Sequence, residues 1–181
     1  MTTFISILRG INVGGHNQIK MDALRQLYAG LGYSGILTYI QSGNIIFCTD
    51  SGDTQLLERT IAEKIFQTFG CKVPVLVLTI DELRSALQNN PFISDIKKDR
   101  AFIHITFLSE IPEKSLLDQI PTEIYLPDEF CCSGKIIYLY CPNGYGNTKL
   151  TNTFLENKLK LTSTTRNLKT VTELLALALK I

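Results

Sequence analysis

The chain is poor in charge and in histidine, and it has no long apolar run. Of its 181 residues only 19% are Asp, Glu, Lys or Arg, and 18 basic residues against 17 acidic ones leave a net charge of +1. A protein that holds nucleic acid by bulk positive charge is therefore disfavoured. Two histidines, His16 and His104, are too few for a multi-histidine metal centre. The five cysteines are an odd number without a C-x-x-C spacing, which argues against a disulfide framework or a structural zinc site. Cys48, Cys71, Cys131, Cys132 and Cys141 read instead as buried, reduced thiols. Apolar runs such as Val75–Leu78 fall far short of the roughly 20 residues that a membrane helix needs. The opening Met1-Thr2-Thr3-Phe4 lacks the basic lead-in of a secretory signal. These absences together point to a cytoplasmic protein with no membrane partner.

What is present is a core. Hydrophobic residues make up 45% of the chain, too many for a disordered one. Phe4–Leu8 reads as a buried strand, and Gly10–Lys20 as a polar, glycine-bearing loop. Leu24, Leu27, Tyr28 and Leu31 recur at i, i+3, i+4, i+7, the spacing of an amphipathic helix. Strands over 36–41 and 45–49 flank a tight turn at Ser42-Gly43-Asn44. Leu57, Ile61, Ile65 and Phe69 form a second helix, with Gly70 as its cap. A strand over 73–78 follows, and Pro74 suggests a sheet edge. The order βαββαβ is that of a ferredoxin-like α/β plait.

Thr79-Ile80-Asp81-Glu82 has capping-box spacing and opens a linking helix that stops at Asn89-Asn90-Pro91. The second half repeats the scheme. It has strands over 101–108 and 136–141, extended segments over 123–126, 129–132 and 162–165, and helices over 113–120 and 149–159. A last helix buries Val171, Leu174, Leu175 and Ala178, with Asn167 as N-cap. Ser42-Gly43-Asn44-Ile45-Ile46-Phe47 resembles Ser133-Gly134-Lys135-Ile136-Ile137-Tyr138, and each would be the central hairpin of its half. The fold class expected is α+β, with two tandem ferredoxin-like (α/β-plait, βαββαβ) subdomains at 1–80 and 101–181, joined by 81–100.

In this topology the loop after the first strand and the turn between strands two and three share one sheet edge. That gathers Arg9, Asn12, Gly14, Gly15, His16, Asn17, Lys20, Ser42 and Asn44. In the second half the opposite edge gathers Asn143, Gly144, Tyr145, Gly146, Asn147, Lys149, Thr165, Arg166 and Asn167. Glycines that let N–H groups converge, a following helix N-terminus and a Lys or Arg are the ingredients of an anion site. The ligand-binding candidates are Arg9, Asn12, Gly14, Gly15, Lys20, Ser42, Asn44, Asn143, Tyr145, Lys149, Arg166 and Asn167. The plainer reading is that the glycines permit turns, and that Asn and Ser satisfy loop backbone groups. Neither loop is a Walker A or a dinucleotide fingerprint. No spacing sets a carboxylate or nucleophile beside His16, and His104 alternates in a strand as a packed or rim histidine.

The segments Leu8-Arg9-Gly10-Ile11-Asn12-Val13-Gly14-Gly15, Tyr39-Ile40-Gln41-Ser42-Gly43-Asn44, Pro142-Asn143-Gly144-Tyr145-Gly146 and Thr164-Thr165-Arg166-Asn167 resemble, in this order, a widespread bacterial family known only as a domain of unknown function. The resemblance implies a cytosolic bacterial protein of two α/β-plait subdomains. It implies no reaction, cofactor or catalytic residue.

Three functions compete. The first is a binding module for a small anionic or phosphate-bearing ligand. The second is an enzyme of undetermined, transferase-like reaction. Against it, both clusters lack acids, and entry of an acid such as Asp22 or Asp128 would reverse that. The third is an RNA-binding plait that stacks bases on strand aromatics such as Tyr39, Phe47, Tyr138 and Tyr140. The low net charge and apolar strands weigh against nucleic acid. Cofactor, catalytic set and the choice between monomer and homodimer stay open.

Overall fold

The computed structural model describes residues 1–15 and 17–181. Among these residues it is a mixed α+β protein with two four-stranded antiparallel sheets and six α-helices. Contacts divide the chain into two compact units, Met1–Arg84 with Glu173–Ile181, and Ser85–Thr172. No helix among the described residues is long and apolar enough to cross a membrane.

The first unit begins with β1 (Thr2–Leu8), α1 (Met21–Gly30), β2 (Ser34–Tyr39) and β3 (Asn44–Thr49). It continues with α2 (Thr54–Phe69), β4 (Val75–Thr79) and the start of α3 (Ile80–Gln88). Its sheet runs β2-β3-β1-β4, so Pro74 does precede an edge strand. One face buries Phe4, Leu8, Ile45 and Phe47 against Leu24, Leu27 and Tyr28 of α1 and Leu57, Ile61 and Ile65 of α2. The helical spacing of those apolar residues sets which face turns inward. Ser6 lies in the same layer and is satisfied by the Tyr28 hydroxyl at 2.7 Å; burial raises the Tyr28 phenol pKa well above its ordinary value.

The second unit holds β5 (Ile103–Leu108), α4 (Lys114–Leu117), β6 (Glu129–Ser133), β7 (Ile136–Tyr140), α5 (Asn152–Leu159) and β8 (Ser163–Asn167), and the chain closes with α6 (Leu168–Ala178). Its sheet runs β6-β7-β5-β8, the same order as the first. Leu108, Ile137, Leu139 and Cys141 pack on Leu150, Leu155 and Leu159. The opposite faces are buried too: Ile5, Ile7 and Ile46 in the first sheet, Ile105, Phe107 and Tyr138 in the second.

Two of the four end strands, β4 and β8, each have one outward N–H satisfied by a carboxylate from the helix before it. Glu58 of α2 accepts from the Val77 N–H at 2.9 Å, and Glu156 of α5 from the Ser163 N–H at 2.8 Å. These bonds occupy groups that an exposed edge would offer to another chain.

Several sequence expectations change. Residues 123–125 form a single 3-10 turn, not an extended segment, and α5 starts at Asn152 because the Thr151 side chain caps it. The turn between β2 and β3 takes four residues, 40–43, whereas β6 and β7 join through Gly134-Lys135 alone. The two hairpins consequently align one residue away from their sequence match. Leu8 donates to the Gly43 carbonyl and Leu108 to the Lys135 carbonyl, both at 2.8 Å, so Gly43 corresponds to Lys135 and not to Gly134. Nor are all the cysteines buried: Cys48 and Cys141 are, but Cys131 is exposed.

Candidate functional site

The loop after β1 is built around Asn12. Its φ of 55° is a conformation that Asn tolerates better than most residues. Its N–H donates to the Asn17 carbonyl at 3.2 Å. Its Oδ1 accepts from the Ile19 N–H at 2.8 Å, while Nδ2 donates to the Ile19 carbonyl at 2.9 Å and the Gln41 carbonyl at 2.8 Å. One side chain thus closes its own loop and ties it to the β2–β3 turn. Asn17 adds a bond from Nδ2 to the Gly10 carbonyl at 3.1 Å.

Gly43 makes the second tie. It sits at φ 77°, and a Cβ there would lie 2.7 Å from Ile11 Cδ1 and 2.8 Å from Leu8 Cβ. Asn44, fully buried, donates from Nδ2 to the Tyr39 carbonyl and to Ser42 Oγ, each at 3.0 Å. Arg9 is half-buried, and its N–H donates to the Pro74 carbonyl at 2.9 Å. The two segments of the first cluster therefore do meet on one sheet edge.

Beside them opens a hollow of about 410 Å³ lined by Asn12, Gly15, Gln18, Ile19, Lys20 and Gln41. It lies at the start of α1, where Lys20 is the N-cap residue and no side chain accepts from the first turn. Unbonded N–H groups give that end of a helix positive potential, and the Lys20 ammonium adds to it. The nearest acid in the sequence, Asp22, is ion-paired with Arg25. Of the sequence candidates, Asn12, Gly15 and Lys20 line the hollow. Arg9, Gly14, Ser42 and Asn44 are not in its described lining, and His16 lies outside the described residues. Gln18 and Gln41 were missed. Both fall within the flagged loop segments, but glutamine carries no turn or charge signal to single it out.

The second cluster is divided among separate tasks. Arg166 donates from Nη1 to Thr164 Oγ1 at 3.1 Å and to the Thr165 carbonyl at 2.9 Å. Burial brings its guanidinium pKa down to about 10. Asn167 caps α6, its Oδ1 accepting from the Thr170 N–H at 2.8 Å. Tyr145 stacks on His104 with ring centres 4.8 Å apart. His104 Nδ1 also lies 3.2 Å from the Phe102 carbonyl, and burial holds this imidazole below its ordinary pKa. Thr151 occupies the α5 N-terminus, accepting from the Phe154 N–H at 3.2 Å, so no open helix end follows Lys149. Asn143 and Lys149 do share a hollow, but with Asp128. An acid thus enters the second cluster, and it is Asp128, one of the two that the sequence analysis named as able to do so. Among the described residues no group of three or more His, Cys, Asp or Glu is placed to hold a metal.

The family model described as "Protein of unknown function (DUF1697)" matches residues 1–138. The chain belongs to the DUF1697 family. The matched span contains the described lining of the hollow at α1 and stops short of Asn143, Lys149 and Arg166. The chain is also similar to the solved structure of the conserved bacterial protein SP0830 from Streptococcus pneumoniae, with 25% identity, a TM-score of 0.66 and 98% of each chain covered. A comparison with curated proteins found no match.

Proposed function

We propose that this DUF1697 chain is a binding module for a small phosphate-bearing or otherwise anionic ligand, held in the hollow at the start of α1. The observation that carries the proposal is the uncapped first turn of α1, with Lys20 at its N-cap, opening on a hollow of about 410 Å³. The N–H groups of that turn, the Lys20 ammonium and the Gln18 and Gln41 amides offer donors to an anion, and the lining contains no acid. Asn12 acts as a positioning residue, since its amide is committed to the loop. Gly15, at φ 79° with open space around its Cα, lets the backbone approach a ligand.

The same proposal reads each half as a ferredoxin-like plait. The repeated element order and the orders β2-β3-β1-β4 and β6-β7-β5-β8 support it. It keeps the sequence-based subdomains at 1–80 and 101–181, with a linker at 81–100. In such a plait the loop after the first strand and the hairpin turn converge on one rim, where Asn12 and Gly43 join them. RNA recognition loses support because Phe47 and Tyr138 are 0% and 1% exposed, leaving those rings no face for a base.

Thermal unfolding with inorganic phosphate at constant ionic strength tests the anion reading. With a Kd of about 1 mM, roughly 10 mM phosphate adds about 1.4 kcal/mol and raises Tm by about 3–5 °C. Lys20→Met should cut that shift by at least half. No shift beyond a matched chloride control, or an equal shift in Lys20→Met, contradicts the proposal.

A further inference from the structure

We propose that the second unit carries a separate site for a small zwitterion with an apolar tail, a molecule of the α-amino-acid class. The site is a hollow of about 200 Å³ whose lining includes Ile124, Leu126, Asp128, Asn143, Asn147 and Lys149. That volume suits a compact metabolite.

The lining is chemically divided. Ile124 and Leu126, either side of Tyr125, are each 66% exposed, a large apolar surface to leave in water. Asp128 is half-buried and Lys149 exposed. Among the described residues the carboxylate of Asp128 and the ammonium of Lys149 take part in no hydrogen bond or ion pair, with each other or with a third group. Two opposite charges thus face one small hollow without closing on one another. An anion alone would meet the Asp128 carboxylate, and a cation alone would meet the Lys149 ammonium. A molecule with both charges satisfies both, its ammonium on Asp128 and its carboxylate on Lys149, and its apolar tail covers Ile124 and Leu126.

The walls are set in advance. The Asp128 N–H donates to the Tyr125 carbonyl at 2.8 Å, and the Tyr125 ring packs edge-on against Phe154 at 5.5 Å. Lys149 stands between buried Thr148 and Leu150, and the Leu150 N–H donates to Thr148 Oγ1 at 3.1 Å. Asn147 Nδ2 donates to the Asn143 carbonyl at 2.7 Å and holds that side of the loop closed. Fixed backbone at both charges lowers the ordering cost of binding.

Saturation-transfer NMR on the full chain, with three probes, tests the proposal. L-Leucine carries both charges and the tail, leucinamide lacks the carboxylate, and 4-methylpentanoate lacks the ammonium. Leucine is expected to give transfer at ~5 mM, with each analogue at least about tenfold weaker. Asp128→Asn and Lys149→Met should each abolish the leucine response, while the protein keeps its thermal transition and its phosphate response at the α1 hollow. No leucine response, equal responses from leucine and either analogue, or a leucine response unchanged in both variants overturns the proposal. The phosphate measurement reports on the other unit, so the two proposals stand or fall separately.

Discussion

Gly43 shows how much one residue carries at the rim of the first unit. Its carbonyl takes the Leu8 N–H, its φ is 77°, and its Cα lies against Leu8 and Ile11. Gly43→Ala combines left-handed strain with a Cβ that cannot be accommodated, and is expected to cost about 2–4 kcal/mol. Gly15→Ala at φ 79° has open space and should cost only about 1–2 kcal/mol. Urea unfolding of the two variants checks this; equal losses would show that the Gly43 packing is immaterial. The sequence did signal that Asn12, Ser42 and Asn44 matter, because polar residues next to glycine sit where turns are made. It left open whether they bind a ligand or satisfy loop backbone groups, and Asn12 and Asn44 do the second. Composition shows that an amide is present, but not that all its donors and acceptors face its own backbone, as they do at Asn12. Among the described residues no side-chain bond ties Lys20 to the loop, so the proposed function assigns it to the ligand.

At the scale of elements, local chemistry was legible and register was not. Gly70 ends α2 in the left-handed conformation at φ 70°. Thr79 and Glu82 form the reciprocal capping box: the Thr79 N–H donates to Glu82 Oε2 at 2.8 Å, and the Glu82 N–H to Thr79 Oγ1 at 3.1 Å. Such signals need only residues within one turn of each other. Thr79→Ala should therefore cost about 1 kcal/mol in urea unfolding, and Thr79→Ser much less; an unchanged midpoint in Thr79→Ala would mean that the box does not hold α3. The hairpins are different. Two similar sequences align one residue apart in space because their turns contain four and two residues, and a one-residue slip exchanges the faces of a strand. The turn at 123–125 also escaped the sequence, since a short 3-10 segment has too few residues for a period.

Over the whole molecule, the elements that build both four-stranded sheets follow from hydrophobic periodicity and turn residues, while the 3-10 turn at 123–125 does not. The contact division is less legible, because it places Glu173–Ile181 with Met1–Arg84, and no local signal joins segments so distant in the chain. The described lining of the α1 hollow lies in the first unit and within the span matched by the DUF1697 family model. The central claim is that an anion binds there through the open first turn of α1. The most direct measurement is a two-dimensional amide NMR titration of the full chain with inorganic phosphate at fixed ionic strength. The account expects saturable shifts concentrated at residues 12–23 and at Gln41, with Lys20→Met weakening the apparent affinity about fivefold, the loss of about 1 kcal/mol of charge interaction. Shifts that do not saturate, or that fall elsewhere and spare the α1 N-terminus, would contradict it.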